Sequence, residues 1–352
     1  MSEMHAHVEE EWREAMLYER EPGGSVLCRL CAHLCRVEDG AQGLCRVREN
    51  RGGTLYALNA QRLSARHVDA IEKKPLFHFY PGSQAYSIAA HGCNFRCGYC
   101  TNWMVSQTSG ARSASAGEAV APADILLAAQ DAHCRSIAYT YIEPTIFFEY
   151  INDTAHLARA AGLLNVFKSN GFMSAQMLDA CRPFLDAANV DLKAFRESTY
   201  RSLGGRLQPV LDNMVRMKGM GIWLEVTTVL ITGVNDGAAE LKEMAAFIAG
   251  ELGADTPWHI SRFFPAYRMT DLLPTSVDVL RLAREIGLGQ GLRYVYCGGI
   301  PDKGSQDTHC PDCGSLLIER RGFELLANRV DDDRCQHCGA QIPGVGIGNR
   351  CR

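Results

Sequence analysis

Cys93, Cys97 and Cys100 stand three and then two residues apart within the stretch His91-Gly92-Cys93-Asn94-Phe95-Arg96-Cys97-Gly98-Tyr99-Cys100. Three thiolates on one tight loop can ligate three irons of a cubane 4Fe-4S cluster, which ordinarily takes four. The iron without a protein sulfur is an open position for a substrate or cofactor, as the free site is on a catalytic zinc. Gly92 and Gly98 let the backbone close round the metal. A zinc knuckle is the plainer alternative.

Two other cysteine groups have metal-ligand spacing. Cys28, Cys31, Cys35 and Cys45 make a closed set of four, which suits structural zinc or a fully ligated auxiliary iron-sulfur cluster. The spacing does not separate the two, and a structural role is the simpler expectation. Cys310-Pro311-Asp312-Cys313 and Cys335-Gln336-His337-Cys338, each followed by glycine, read as a zinc ribbon. So small a tail cannot bury its own core, so metal would supply its folding free energy. A structural staple is favoured over a docking or substrate-covering module. The fifteen cysteines are an odd number and cluster, which argues for metal ligation over a disulfide framework. Cys134 and Cys181 read as core thiols; Cys297 and Cys351 also stand alone.

The rest of the chain must position these groups. Its 352 residues suit one large domain with appendages, and 47% apolar residues suffice for a sizeable core. A net charge of -4 gives no footprint for nucleic acid. No run of apolar residues is long enough for a membrane helix, and the polar, acidic start does not read as a signal peptide. The expectation is a cytoplasmic protein with no nucleic-acid or membrane partner. Glu10, Trp12, Ala15 and Met16 suggest an amphipathic helix within 1–22. The stretch 71–82 precedes the cluster loop and is expected against it. From 85 to about 300, apolar runs at 85–90, 136–142, 164–168, 188–192, 223–231 and 257–263 alternate with helical segments. Six such repeats predict an α/β fold with a parallel sheet curled into a partial (β/α)6 TIM-like barrel. A doubly wound sheet is the alternative, but its glycine-rich turn is missing after the first strand. The organisation reads as a cap with a four-cysteine site (1–84), the barrel (85–300) and the ribbon tail (301–352). In such barrels chemistry sits at the carboxyl ends of the strands. That rule selects the cysteine loop, Glu143, Ser169, Asn170, Asp191, Lys193, Glu225, Thr227, Thr228, His259, Ser261 and Arg262.

With these residues assembled, the chain resembles the radical SAM enzymes of the AmmeMemoRadiSam system, distant relatives of pyruvate formate-lyase activating enzymes. The likeness spans nearly the whole length. It rests on the cysteine groups, Ile71-Glu72-Lys73-Lys74-Pro75, Asn102-Trp103, Tyr141-Ile142-Glu143-Pro144, Ser169-Asn170-Gly171, Val190-Asp191-Leu192-Lys193, Glu225-Val226-Thr227-Thr228, Asn235-Asp236 and Pro257-Trp258-His259. Two positions depart from the family pattern: Thr101 replaces a usual glutamine, and Cys297-Gly298-Gly299 a usual Gly-Asn pair.

The resemblance implies a radical SAM barrel whose cluster on Cys93, Cys97 and Cys100 cleaves S-adenosylmethionine to a 5'-deoxyadenosyl radical. That radical takes hydrogen from an unidentified substrate, a protein or a small molecule. By the same resemblance Tyr99 lies against adenine, Glu143 accepts the methionine ammonium, and Ser169 and Asn170 bind ribose hydroxyls or the methionine carboxylate. Asp191, Lys193 and His259 face the reaction volume, and Val229 and Ile231 pack on adenine. Cys297 is a candidate for substrate contact or hydrogen-atom donation. Beside these stand plainer readings: an N-cap for Glu143, an Asp191–Lys193 pair, a core group for His259, a buried thiol for Cys297, and structural roles for Lys168 and Arg262. A flavodoxin or ferredoxin would supply electrons, and Memo-like and AMMECR1-like proteins are implied partners. Cleavage of a different sulfonium bond, with group transfer, and a non-catalytic metal scaffold are the competing functions.

Overall fold

The computed structural model describes residues 12–60, 62–107, 116–301 and 304–348. Its centre is one eight-stranded sheet: β1 (Ala65–Ala70), β2 (Gln84–Ala89), β3 (Ser136–Tyr139), β4 (Leu164–Ser169), β5 (Ala187–Asp191), β6 (Trp223–Leu230), β7 (Trp258–Arg262) and β8 (Val295–Gly298). Each strand pairs with the next in the chain. β2 to β8 are all parallel, and β1 lies antiparallel on β2. The order never reverses, as it does at the switch point of a doubly wound sheet. All six expected strands are present, and two more flank them. β1, which the sequence assigns to the cap, belongs to this sheet.

Helices α1 (Pro122–Asp131), α2 (Phe148–Ala160), α3 (Ala175–Cys181), α4 (Leu207–Gly219), α5 (Ala238–Phe247) and α6 (Val277–Gly289) connect the strands. α6 lies so close on β7 and β8 that a Cβ on Gly287 would sit 3.0 Å from Val295 and 3.1 Å from Trp258. The opposite face of the sheet is polar. Lys168, Asn189 and Glu225 occupy one register row, and Asp191, Thr227, His259 and Tyr296 the next. Alternation along each strand puts them on one face.

The stretch 71–82 fills that face from the amino ends of the strands. Glu225 accepts the backbone N–H groups of Phe77 and His78 at 2.9 and 2.8 Å, and Asn189 donates to the Pro75 carbonyl at 2.6 Å. This stretch therefore forms the floor under the inner face, where the sequence led us to expect it on the cysteine loop. One tie to the candidate site runs through Asp69, which accepts from Lys73, Lys74 and the Tyr141 hydroxyl.

The cysteine-rich tail docks below this floor. Tyr80 and Val345 exchange backbone bonds with Val345 and His78, His78 Nδ1 meets the Pro343 carbonyl at 2.7 Å, and Arg320 donates to the Phe77 carbonyl at 2.7 Å. Over its described residues the tail thus closes the amino end of the sheet, opposite the cysteine loop.

The expected N-terminal helix is not formed over the described part of 1–22; Glu10, like Cys351, falls outside the described residues. Arg13–Glu14 pairs with Tyr56 and Ala57, and Tyr18–Arg20 with Val26–Cys28, across the turn at Gly23 and Gly24. Leu17, at φ 58°, breaks any helix between them. The apolar spacing read as helical serves strand packing, with Trp12 edge-on to Tyr56.

Candidate active site

The loop from His91 to Cys100 leaves the carboxyl end of β2 and is gripped from three sides. Gly92, at φ +101°, passes so close to the cap that a Cβ would stand 2.6 Å from Val47; only glycine fits. Phe95 is fully buried, and its ring is tilted against Phe172 and edge-on to Tyr200. The Gly98 carbonyl accepts Arg268 N–H at 2.9 Å from the segment after β7. Cys93 and Cys100 are half-buried and Cys97 is buried. The Phe95 N–H points at Cys93 Sγ, 3.5 Å away, and Ser106 Oγ lies 3.2 Å from Cys100 Sγ. Such polar groups beside sulfur suit thiolates, whose negative charge a bound metal would balance.

Beside the loop lies Glu143, 3% exposed at the turn after β3. Its Oε1 accepts from Thr145 N–H (3.2 Å), Thr145 Oγ1 (2.6 Å) and Ser169 Oγ (2.8 Å), and its Oε2 from Asn170 N–H (2.7 Å). Burial pushes its pKa up, and these donors act against that. A carboxylate has about four lone-pair sites, so Oε2 keeps room for one more donor. Asn170 in turn donates to Asn94 Oδ1 at 2.7 Å, inside the cysteine loop. The structure therefore joins Glu143, Ser169 and Asn170 to the cluster loop as one network. Glu143 also caps the turn Pro144–Phe147, so its ligand and cap readings are compatible.

A second group flanks the loop. Asp191, the last residue of β5, pairs with Lys168 and, at 3.0 Å, with Lys193. Burial pushes Asp191 up, and the two ammonium groups outweigh it, holding the carboxyl at about 2. Lys193 lies 5.8 Å from the centre of the Tyr99 ring. Val229, half-buried two residues beyond Thr227, shares the inner face with Asp191. Ile231 is buried, its backbone bonded to Asn235.

His259 and Cys297 stand apart. His259 is the second residue of β7 and lies 2.6 Å from Glu225, with the Phe77 ring edge-on and Tyr296 stacked on it. Burial pushes Glu225 up, but the His259 contact, with help from His78 and the Trp223 N–H, holds it below its usual range, and burial lowers His259. This pair belongs to the floor. Cys297 Sγ donates to the Leu280 carbonyl of α6 at 3.4 Å, on the outer face. Thr228 faces outward too, bonded to Leu192 and Trp258. Arg262 donates to the Thr275 carbonyl at 2.6 Å, a structural use. Sequence reasoning gave no role to Asn94, although it sits between the cysteines, nor to Tyr141 or Tyr200, whose contacts are long-range.

At the far end, Cys310, Cys313, Cys335 and Cys338 bring their sulfurs within 4.8 Å of one another. Among the described residues this is the group of ligand atoms gathered tightly enough for a single ion. Among the described residues, too, no helix is long and apolar enough to cross a membrane.

The sequence matches the radical SAM superfamily over residues 87–248. That stretch carries a radical SAM domain, which marks the chain as an enzyme. An uncharacterized protein of Methanocaldococcus jannaschii is 40% identical over 332 residues, 94% of this chain and 98% of its own length. Among solved structures, Streptococcus suis SuiB bound to S-adenosylmethionine is 13% identical with a TM-score of 0.49, the match covering 66% of this chain and 53% of that one. A radical SAM methyltransferase from Sphaerobacter thermophilus is 18% identical with a TM-score of 0.47, covering 68% and 71%. This chain spans about half the length of SuiB.

Proposed function

We propose that this enzyme cleaves S-adenosylmethionine reductively and takes hydrogen from a protein or small-molecule substrate. Cys93, Cys97 and Cys100 would hold a 4Fe-4S cluster, which supplies the electron that breaks the sulfonium bond. The observation that carries this reading is the bonded path from Glu143 through Asn170 to Asn94 on the cysteine loop. It sets a buried carboxylate with one free acceptor position beside three thiols, as a bound ammonium next to an open iron requires. Ser169 and Asn170 orient that carboxylate and offer contacts to ribose or carboxylate oxygens. Tyr99 and Val229 flank the space for adenine, and Asp191 with Lys193 supplies fixed charge beside it. His259 acts from beneath through Glu225, and Cys297 from the outer face, so neither is proposed to touch substrate.

On this reading the one-directional sheet is an incomplete barrel, with a cap over 1–84, the barrel over 85–300 and a ribbon over 301–352. The ribbon holds zinc, for which its four converging sulfurs speak. A flavodoxin or ferredoxin supplies electrons. The resemblance to the AmmeMemoRadiSam enzymes motivates Memo-like and AMMECR1-like partners and a cytoplasmic setting.

The test is anaerobic reconstitution, then reductant and S-adenosylmethionine, with nucleoside products identified by mass. 5'-Deoxyadenosine is expected. Methylthioadenosine would instead mean aminocarboxypropyl transfer. An intact loop cluster that yields neither product would sink the proposal.

A further inference from the structure

The four cysteines of the cap are not arranged like those of the ribbon. Cys28 and Cys45 are within electrostatic reach of Cys35, and Cys31 of Cys28, Cys35 and Cys45. A Cβ on Gly43 would stand 3.9 Å from the sulfurs of both Cys35 and Cys45, so these two face one space. Yet among the described residues the sulfurs that converge tightly are the ribbon's, not these. A single tetrahedral ion draws its four thiolates together. A cubane has bulk of its own and holds its ligands apart at its corners. The cap thiols, not drawn together like the ribbon's, leave room for the larger guest.

A second observation points to an anion in the same space. Arg48 is 1% exposed, and its Nη2 binds Glu149 at 2.6 Å. Its Nε and Nη1 are buried with no hydrogen-bond partner. The guanidinium is within electrostatic reach of Cys28 and Cys45. Orphaned buried donors on a charged group are costly. Sulfides and thiolates of an anionic cluster are acceptors that would satisfy them.

The position of the site suggests its use. His33, between Cys31 and Cys35, has Nε2 2.9 Å from the Asn94 carbonyl. Leu44, beside Cys45, accepts from Arg96, and the Cys45 carbonyl would be 3.3 Å from a Cβ on Gly92. These contacts hold the catalytic loop on both sides of Cys93. On the solvent side Leu34 and Leu44 are exposed and Cys35 is half-buried. One side of the site abuts the catalytic loop, and the other is within reach of a protein donor.

We propose that Cys28, Cys31, Cys35 and Cys45 hold a second, fully ligated 4Fe-4S cluster that passes single electrons to the cluster on Cys93, Cys97 and Cys100. In each transfer the cap cluster goes from its reduced to its oxidised state and the loop cluster from oxidised to reduced. No bond or proton moves. The electron comes from a low-potential one-electron carrier of the flavodoxin or ferredoxin class. The relay rests on the catalytic reading above; the second cluster does not.

Two full-length variants test it, each reconstituted anaerobically with iron and sulfide. A chain with Cys93→Ala, Cys97→Ala and Cys100→Ala is expected to keep about four irons and about four sulfides, with a paramagnetic signal on reduction. Zinc without iron in that chain would overturn the proposal, whatever the enzyme does to S-adenosylmethionine. A chain with Cys31→Ser and Cys35→Ser is expected to fall from about eight irons to about four. In it, dithionite still reduces the loop cluster, whereas reduced flavodoxin does so at least about tenfold more slowly than in the wild type. Unchanged iron would overturn the cluster, and equal flavodoxin rates would overturn the relay.

Discussion

Glu143 makes a sharp residue-scale prediction, because its acceptor positions are nearly filled by identified donors. Glu143→Gln keeps the volume but removes the charge that, on the proposed reading, faces the methionine ammonium. A hydrogen bond to a charged group contributes about 1.5–3 kcal/mol, so affinity for S-adenosylmethionine should fall roughly 10- to 100-fold. Calorimetric titration with iron content held equal measures this; wild-type affinity in the variant would move the ammonium elsewhere. Asp191 answers a different question. With two lysines leaning on one carboxylate, Asp191→Asn should destabilise the fold by about 3 kcal/mol in urea unfolding, and Lys168→Met added to it should recover part. No recovery would mean that the lysines do not compete for it.

Among the elements, the floor formed by 71–82 was the least legible. Its lysines, aromatics and Pro-Gly turn were conspicuous, but only long-range contacts reveal that they pack under the amino ends of the strands. Strand faces explain the other surprises. His259 and Cys297 were picked out by residue type and by nearness to strand ends. Register and alternation place His259 on the inner face, in one row with Thr227 and Asp191, and turn Cys297 outward to α6. The cysteine groups were readable because their spacing is local, and the six core strands because their apolar runs are continuous. β1 and β8 escaped notice, being short or mixed in polarity. The floor also carries a pH prediction. Burial lowers His78 to about 4 in the folded chain, against about 6.5 unfolded. A depressed histidine contributes stability that is present above the unfolded value and lost as pH falls towards the folded one. Between pH 7 and 5 the wild type should lose about 2 kcal/mol from this group alone. His78→Gln should show a pH dependence smaller by that amount; identical slopes would refute the assignment.

At the scale of the molecule, cap and tail hold opposite ends of the sheet. The cap grips the cysteine loop, and the tail grips the floor through Arg320, Pro343 and Val345. Their damage should therefore be separable. Cys335→Ser with Cys338→Ser removes two of the tail's four converging thiols and, if they hold a metal as proposed, should lower the thermal midpoint by at least about 5 °C. Affinity for S-adenosylmethionine should change less than about threefold, since no tail residue reaches Glu143 or the loop among the described contacts. A large loss of affinity would mean that the tail sets the geometry of the far end after all.

A sheet stoppered at its amino end has consequences for the order of events in turnover. Small molecules are left with the loop-bearing end to come and go by. On the proposed reading the sulfonium compound sits beside Asn94 and Glu143, so it has to arrive before any bulky second reactant and depart after it. Steady-state kinetics should then be sequential and ordered, and excess second reactant should inhibit by sealing an empty chamber.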